Sequence, residues 1–294
     1  MSEHHDLIEI TSDGLSAQIN PQGAELHALK DREGRDLQWN GDPAVWRGRA
    51  PILFPIVGML VEGRYRLCGK TYHLGKHGFA RHKRFEVVGG DASSTVLRLR
   101  ADAQTLLSYP FRFELDLHFA LSGVTLTLNA TIRNHGDTPM PASFGFHPAF
   151  RWPLPFGQPR AKHAIRFAQP EPAAVRRMDR EGLLKPEVEP TPVAGDRLVL
   201  RDALFEADAL MFDRLKSRAL YYGADHGPSL RIGYPEMPYL GLWTKPGAGF
   251  IAIEPWYGIN DTEGFMGDLW DKPGIFGVAP GDARRLSMVI NLVR

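Results

Sequence analysis

The sequence is poor in the features that most quickly reveal a protein's chemistry. A single cysteine, Cys68, excludes an intrachain disulfide framework and any CxxC pair for a metal or redox centre. It suits a reducing compartment, so a cytoplasmic protein is expected. No charge of one sign dominates: 35 Lys plus Arg stand against 34 Asp plus Glu, a formal net charge of +1. Such a chain has no uniform field to draw a polyanion, which argues against a general nucleic-acid or acidic-membrane partner. Long apolar runs are missing too. The longest, Ala50 to Val61 (APILFPIVGMLV), is broken by Pro51 and Pro55 and falls short of the about 20 residues that a bilayer crossing needs. It reads as buried core. The N-terminus, MSEHHDLIEITSDG, lacks the basic start and apolar stretch of a secretory signal. Also absent are GxxxxGK[ST], GxGxxG, GxSxG, HExxH and a DxDxDG loop, so phosphate-cradling, dinucleotide-binding and nucleophile-elbow chemistries lose their sequence support.

What is present is a period of two. In RFELDLHFALSGVTLTLNATIRN, Phe113, Leu115, Leu117, Phe119 and Leu121 share one face, and Val124, Leu126, Leu128, Ala130 and Ile132 share one face of a second run. Ser122-Gly123 between them is a two-residue turn signal, so a long β-hairpin is expected. Shorter runs of the same kind stand at 7–10, 24–29, 65–67, 72–74, 85–88, 96–99, 198–200, 230–232, 250–254 and 286–292. No i, i+3, i+4 stripe persists beyond about two turns. The expected architecture is all-β, mainly antiparallel, a large sandwich. Between Pro153 and Gly195 the composition shifts to Pro, Arg, Glu and Ala, which reads either as an interdomain linker or as a long surface excursion of one domain.

Three segments place an ionisable residue among apolar, Gly and Pro neighbours: His77-Gly78-Phe79-Ala80-Arg81, Phe144-Gly145-Phe146-His147-Pro148-Ala149-Phe150, and Phe250 to Gly258 (FIAIEPWYG). In the last, alternation puts Ile251 and Ile253 on one face and Ala252 with Glu254 on the other, with Pro255 ending the ladder. A carboxylate there, beside Trp256, is partly desolvated and a better base near neutrality. In the second, Phe144 and Phe146 share a face, and Gly145 beside His147 leaves room for a ligand. Each histidine could instead be a hydrogen-bonded structural residue, and Glu254 the partner of a buried arginine. Trp46, Trp243, Trp256 and Tyr257 could stack on a sugar ring or fill the core, with core the expectation for at least half of them. His73, His77 and His82 have ligand chemistry but no acidic or cysteine partner at a characteristic spacing, so no metal site is read here.

At these segments the chain resembles the aldose 1-epimerase (galactose mutarotase-like) family, and within it the LacX-like branch. The likeness runs from Pro21-Gln22-Gly23-Ala24-Glu25-Leu26 through Trp46, APILFPIVG, HGFAR, FGFHPAF, Asp208-Ala209-Leu210 and IEPWYG to the last strand. It implies a β-supersandwich, a single domain over 1–294 and metal-free interconversion of α and β anomers without any cofactor. It also implies a small-molecule sugar as the partner, no nucleic acid or membrane, and a monomer or homodimer. Carried over residue by residue, Glu254 resembles the base that takes the C1 hydroxyl proton and His147 the acid that protonates the ring oxygen. His77 helps to bind and polarise the sugar, and Asp208 binds its hydroxyls. Opening a hemiacetal needs one proton removed and one supplied, each group contributing about 10²–10⁴-fold. In one respect the chain departs from the family: Met59 stands where relatives commonly have an arginine. Arg47, Arg49 or Arg81 would then take over, Arg81 being best placed, or the substrate would differ. Two rivals stay open. One is hexose 6-phosphate mutarotation, with Arg47, Arg49, Arg81, Lys83 and Arg84 as a phosphate clamp. The other is a non-catalytic carbohydrate-binding protein on the same fold.

Overall fold

The computed structural model describes residues 7–294; the segment before Leu7, read above as lacking a targeting signal, lies outside them. Two large sheets dominate. The first has nine strands, in the order Arg197–Val199, His163–Phe167, Ala219–Ala224, Ser229–Gly233, Ala283–Val293, Thr125–Asn134, Phe113–Ser122, Ser94–Arg100 and Glu86–Gly90. At its heart is the expected hairpin, paired from Ser122↔Thr125 to Phe113↔Asn134. Its two loop residues are Gly123 and Val124, one position later than expected, because Ser122 still pairs. Gly123 takes φ +55°, which suits the first loop position of a II′-type turn. The alternation in the sequence becomes two faces. Leu115, Leu117, Phe119, Leu126, Leu128, Ala130 and Ile132 are buried in the core, and a charged ladder covers the outside. There Asp116 accepts from Arg98 and Arg133, each at 2.6 Å, and Glu114 accepts from Arg100 at 2.9 Å.

The second sheet has eight strands, all antiparallel to their neighbours: Leu184–Glu189, Val175–Met178, Leu210–Phe212, Tyr239–Trp243, Phe250–Tyr257, Phe144–Phe146 and Ile52–Leu53 in order, with Ala149–Arg151 also paired to Phe250–Tyr257. One apolar cluster takes Leu115, Leu126 and Ile290 from the first sheet and Phe144, Phe146, Leu240, Ile251 and Ile253 from the second, so the two share a core, as in a sandwich. On the far face of the second sheet, Phe250, Ala252 and Trp256 belong to smaller clusters beside an open cleft.

The segment between Pro153 and Gly195 is neither a linker nor a structureless excursion. It supplies three strands, one to the first sheet and two to an edge of the second. The signal was hidden because a bulge between Arg176 and Met178 shifts the register, so that the buried residues are Val175 and Met178, three apart rather than two. Pro186 sits in the outermost strand, mostly exposed, where a missing N–H does no harm. The one α-helix among the described residues, Ala103–Ser108, is capped by Asp102, which accepts the Thr105 N–H at 2.6 Å. No helix among the described residues is long and apolar enough to cross a membrane.

Candidate active site

The strand Phe250–Tyr257 organises the site. Its odd residues face the shared core and its even residues face the cleft, as the alternation in the sequence requires. Pro255 does not end this strand, which continues through Trp256 to Tyr257 and pairs Pro255 with Leu240. Proline is tolerated there for a local reason. On the strand's other side, Gly145↔Trp256 and Ala149↔Ala252 lie on a single register, so the residues between place His147 opposite Glu254. The Ile253 N–H donates to Pro148 O at 3.0 Å. That makes the Pro148/Ile253 position hydrogen-bonded and the His147/Glu254 position the other kind, in which facing side chains approach most closely. Pro148 and Pro255 flank the pair, and each deletes one ladder bond between the two strands.

The outcome is a direct contact: His147 Nε2 lies 3.0 Å from Glu254 Oε2. Glu254 is 3% exposed and His147 8%. The His147 ring packs on Trp46, with centroids 5.3 Å apart and planes at 31°, and its Nδ1 is buried without a partner among the described residues. Gly145 does not leave room for a ligand. A Cβ there would stand 2.6 Å from Trp256 Cδ1, so the missing side chain makes space for the indole instead.

His77 approaches from the other wall, its ring edge-on to His147 at 6.0 Å. Its backbone takes φ +66°, and the next residue must be glycine, because a Cβ at Gly78 would meet Phe54 O at 2.3 Å. The Gly58 N–H donates to His77 Nδ1 at 3.0 Å. A backbone N–H can only donate, so Nδ1 is the acceptor and the ring proton sits on Nε2, the nitrogen left for the cleft. Burial holds His77 well below the usual histidine range, and the charges of His147, Lys76 and Arg81 push the same way. His77 is therefore a neutral, permanent donor.

The cleft has a volume of about 300 Å³ and is lined by all five residues singled out in the sequence: His77, Arg81, His147, Asp208 and Glu254. Asp208 stands exposed at the rim with φ +65°. Arg81 donates to Lys76 O at 2.8 Å and His82 Nε2 at 3.1 Å, and has no carboxylate within ion-pair distance among the described residues. Of the three arginines that could replace the one expected at Met59, only Arg81 reaches the cleft; Arg49 donates to His27 O at 2.7 Å and Arg47 is exposed elsewhere. The five-residue phosphate clamp does not assemble: Lys83 is spent on Asp102 and Gln104, and Arg84, like Arg47 and Arg49, does not line the cleft.

Trp46, Trp243 and Trp256 also line the cleft, whereas Tyr257 packs on Phe276 outside it. Sequence reasoning missed Lys76, Lys245 and Asn260. Lys76 could have been found from its place beside His77, and Asn260 from its place two residues after the IEPWYG motif. Lys245, which hydrogen-bonds Val45 O across the cleft mouth, left no local signal. Asn260 is buried and donates to Gly182 O at 2.6 Å, and its chain neighbour is a second buried polar residue. That neighbour, Asp261, accepts the Lys272 ammonium at 2.5 Å and the Val61 N–H at 3.0 Å, a buried ion pair behind the cleft floor. Among the described residues no three His, Cys, Asp or Glu gather as a metal site. Chemically, the cleft offers one carboxylate and one imidazole in mutual contact, beside a fixed neutral donor and a rim of hydrogen-bonding groups.

Comparison with known proteins agrees with the fold. The family model described as Aldose 1-epimerase matches residues 6–168. The chain is 31% identical over 296 aligned residues to the chromosomal protein LacX of Lactococcus lactis subsp. lactis, covering 97% of this chain and 99% of that one. Among solved structures it is similar to a galactose mutarotase related enzyme from Lactobacillus acidophilus, with a TM-score of 0.88 and 28% identity over 98% of this chain and 97% of the other. It is also similar to a galactose mutarotase-like protein from Lactobacillus casei, with a TM-score of 0.90 and 28% identity over 98% and 100% of the two chains.

Proposed function

Since the chain belongs to the aldose 1-epimerase family, we propose that it is an isomerase interconverting the α and β anomers of a free hexose by general acid/base ring opening. The observation that carries this reading is the 3.0 Å contact between Glu254 and His147 on the floor of a cleft of sugar-ring size. Glu254 removes the C1 hydroxyl proton while protonated His147 delivers one to the ring oxygen. The C1–O5 bond breaks, rotation about C1–C2 turns the aldehyde over, and the same two transfers in reverse close the other anomer. His77 Nε2–H holds an oxygen of the sugar throughout, because its tautomer is locked. Trp46, stacked on His147, stabilises the imidazolium through its π face and excludes water. Asp208 at the rim accepts sugar hydroxyls and Arg81 donates to them. These groups come from both halves of the sequence, and the chain acts as one domain.

Arg81 and Lys76, adjacent and free of carboxylate partners, support a second reading in which the hexose carries an anionic group such as a 6-phosphate. Polarimetry of freshly dissolved α-D-glucose, α-D-galactose and glucose 6-phosphate, with and without protein, separates the two. Glu254→Gln keeps size and most hydrogen bonds but cannot take the proton, so turnover falls at least about 10²-fold while sugar binding survives. His147→Asn does comparable damage, and the double variant loses little more, because both groups serve one concerted transfer. Undiminished rates in folded Glu254→Gln protein would remove this mechanism.

A further inference from the structure

The contact between acid and base has a second chemical consequence, which rests on the ring-opening reading above. After the ring opens, Glu254 is a neutral carboxylic acid and His147 a neutral imidazole with a lone pair on Nε2. An enzyme left in that state by a departing intermediate must normally be reset through solvent before it can act again. Here the two atoms that hold the imbalance face each other at 3.0 Å, on residues set opposite in one strand register. Once the sugar leaves, the Glu254 O–H breaks, an N–H forms on His147 Nε2, and the carboxylate and imidazolium are restored. No proton is gained or lost, and no co-reactant is needed. The alternatives within the cleft are closed. His77 Nδ1 is occupied by the Gly58 N–H, and Asp208 stands at the exposed rim, so neither competes for the proton.

We infer that the enzyme releases and takes up the open-chain aldehyde as readily as it re-closes the ring, and so serves reactions that consume a free aldose carbonyl. The cleft is built to permit it. Its rim residues Lys76, Asp208 and Lys245 are exposed, so the cleft that holds the buried acid and base opens to solvent. The partner reactions are therefore those that act on the acyclic form, namely reduction of the aldehyde, aldose–ketose isomerisation or capture by an amine. Anomer exchange is then the visible half of the activity and supply of carbonyl the other.

The test runs two readouts in one tube with α-D-galactose, α-D-glucose or glucose 6-phosphate as probe: optical rotation, and oxime formation with methoxyamine, which reacts with the carbonyl form alone. The trap is raised until oxime formation in the protein-free control becomes independent of its concentration and is limited by ring opening. Release of the acyclic sugar predicts an oxime rate that rises in proportion to protein, at least about 10-fold above the control for a general acid/base catalyst, and that falls with mutarotation in Glu254→Gln. Accelerated optical rotation with an unchanged oxime rate would overturn the inference and leave the mutarotase reading standing, because the ring would then open and close without letting the aldehyde go. Optical rotation unchanged for every probe would overturn the mutarotase reading, and this inference with it.

Discussion

The two large sheets share one core yet obey different rules. The nine-stranded sheet keeps its alternation: apolar residues point inward, Glu114 and Asp116 on its outer face are paired with arginines, and its central hairpin runs ten rungs without a break. The eight-stranded sheet breaks rule after rule where it meets the cleft. It has prolines within a ladder, a buried ionisable pair between adjacent strands, an indole filling the space left by a glycine, and next to it two non-glycine residues, His77 and Asp208, at positive φ. The contrast separates scaffold from site without reference to any known activity: in the scaffold sheet buried carboxylates are paired with arginines, as Asp116 is with Arg98 and Arg133, whereas at the cleft a buried carboxylate and imidazole face each other beside backbone at positive φ.

The comparison breaks most severely at Lys272. Replacing it with methionine leaves the Asp261 carboxylate buried and unpaired behind the cleft, at a cost of about 3–5 kcal/mol, which a shift in the urea unfolding midpoint would measure. Anomerisation per folded molecule should fall as well, because Asp261 anchors both Val61 and the turn that bears Asn260. In the scaffold sheet, Leu128→Ala removes a buried side chain from the hairpin and costs about 2–5 kcal/mol, while activity per folded molecule stays at the parental level. A lost rate there would erase the division between the sheets.

A smaller effect sharpens the contrast through pH. His77 is held below its ordinary value, so the unfolded chain binds a proton that the folded chain refuses. Stability is present in full above about pH 6.5 and is lost as the pH falls toward the folded value, by at most about 1.4 kcal/mol per pH unit. His163, also lowered by burial, adds to the same limb, so the informative quantity is the difference between parent and His77→Gln. Asp116 of the scaffold behaves otherwise. Burial pushes its carboxyl up, hydrogen bonds from Arg98 and Arg133 more than offset this, and the net shift is downward. Its stabilisation is present above about pH 4 and is lost only as the pH falls further, by an amount on the order of 1 kcal/mol for a network whose arginines reach solvent. Unfolding midpoints measured from pH 8 to pH 2 should show His77→Gln flattening the upper limb and Asp116→Asn the lower. The opposite assignment would refute both.

How much of this was legible in the sequence follows the same division. The hairpin could be read almost to the residue because each strand has one apolar and one polar face, and a pattern of period two survives only where that is true. The site was legible in part because its residues sit in short motifs rich in Gly, Pro and aromatic neighbours; His77 of HGF, His147 of FGFHP, and Glu254 and Trp256 of IEPW line the cleft. Illegible were features that depend on what faces what. The bulge at Arg176 displaced the apolar pair Val175 and Met178 from period two. Pro255 looked like a terminus because the interruption opposite it, at His147-Pro148, is more than a hundred residues away in the chain. Gly145 looked like space for a ligand because nothing local announces that Trp256 fills it. Lys245 reaches the cleft from a loop with no motif at all.

The two prolines beside the acid and base also make the sheet mechanically uneven. Ladder bonds are what resist the parting of adjacent strands, and Pro148 and Pro255 each remove one from the positions on either side of His147 and Glu254, leaving the Ile253 N–H to Pro148 O bond. The stiffest element of the fold thus contains one compliant rung, and that rung holds the groups that must move apart to admit a sugar and come together again when it leaves. Widening the gap there strains few backbone hydrogen bonds, the Ile253 N–H to Pro148 O bond among them, so the opening is resisted by that bond and the side-chain contact, and the surrounding sheet returns the pair to register.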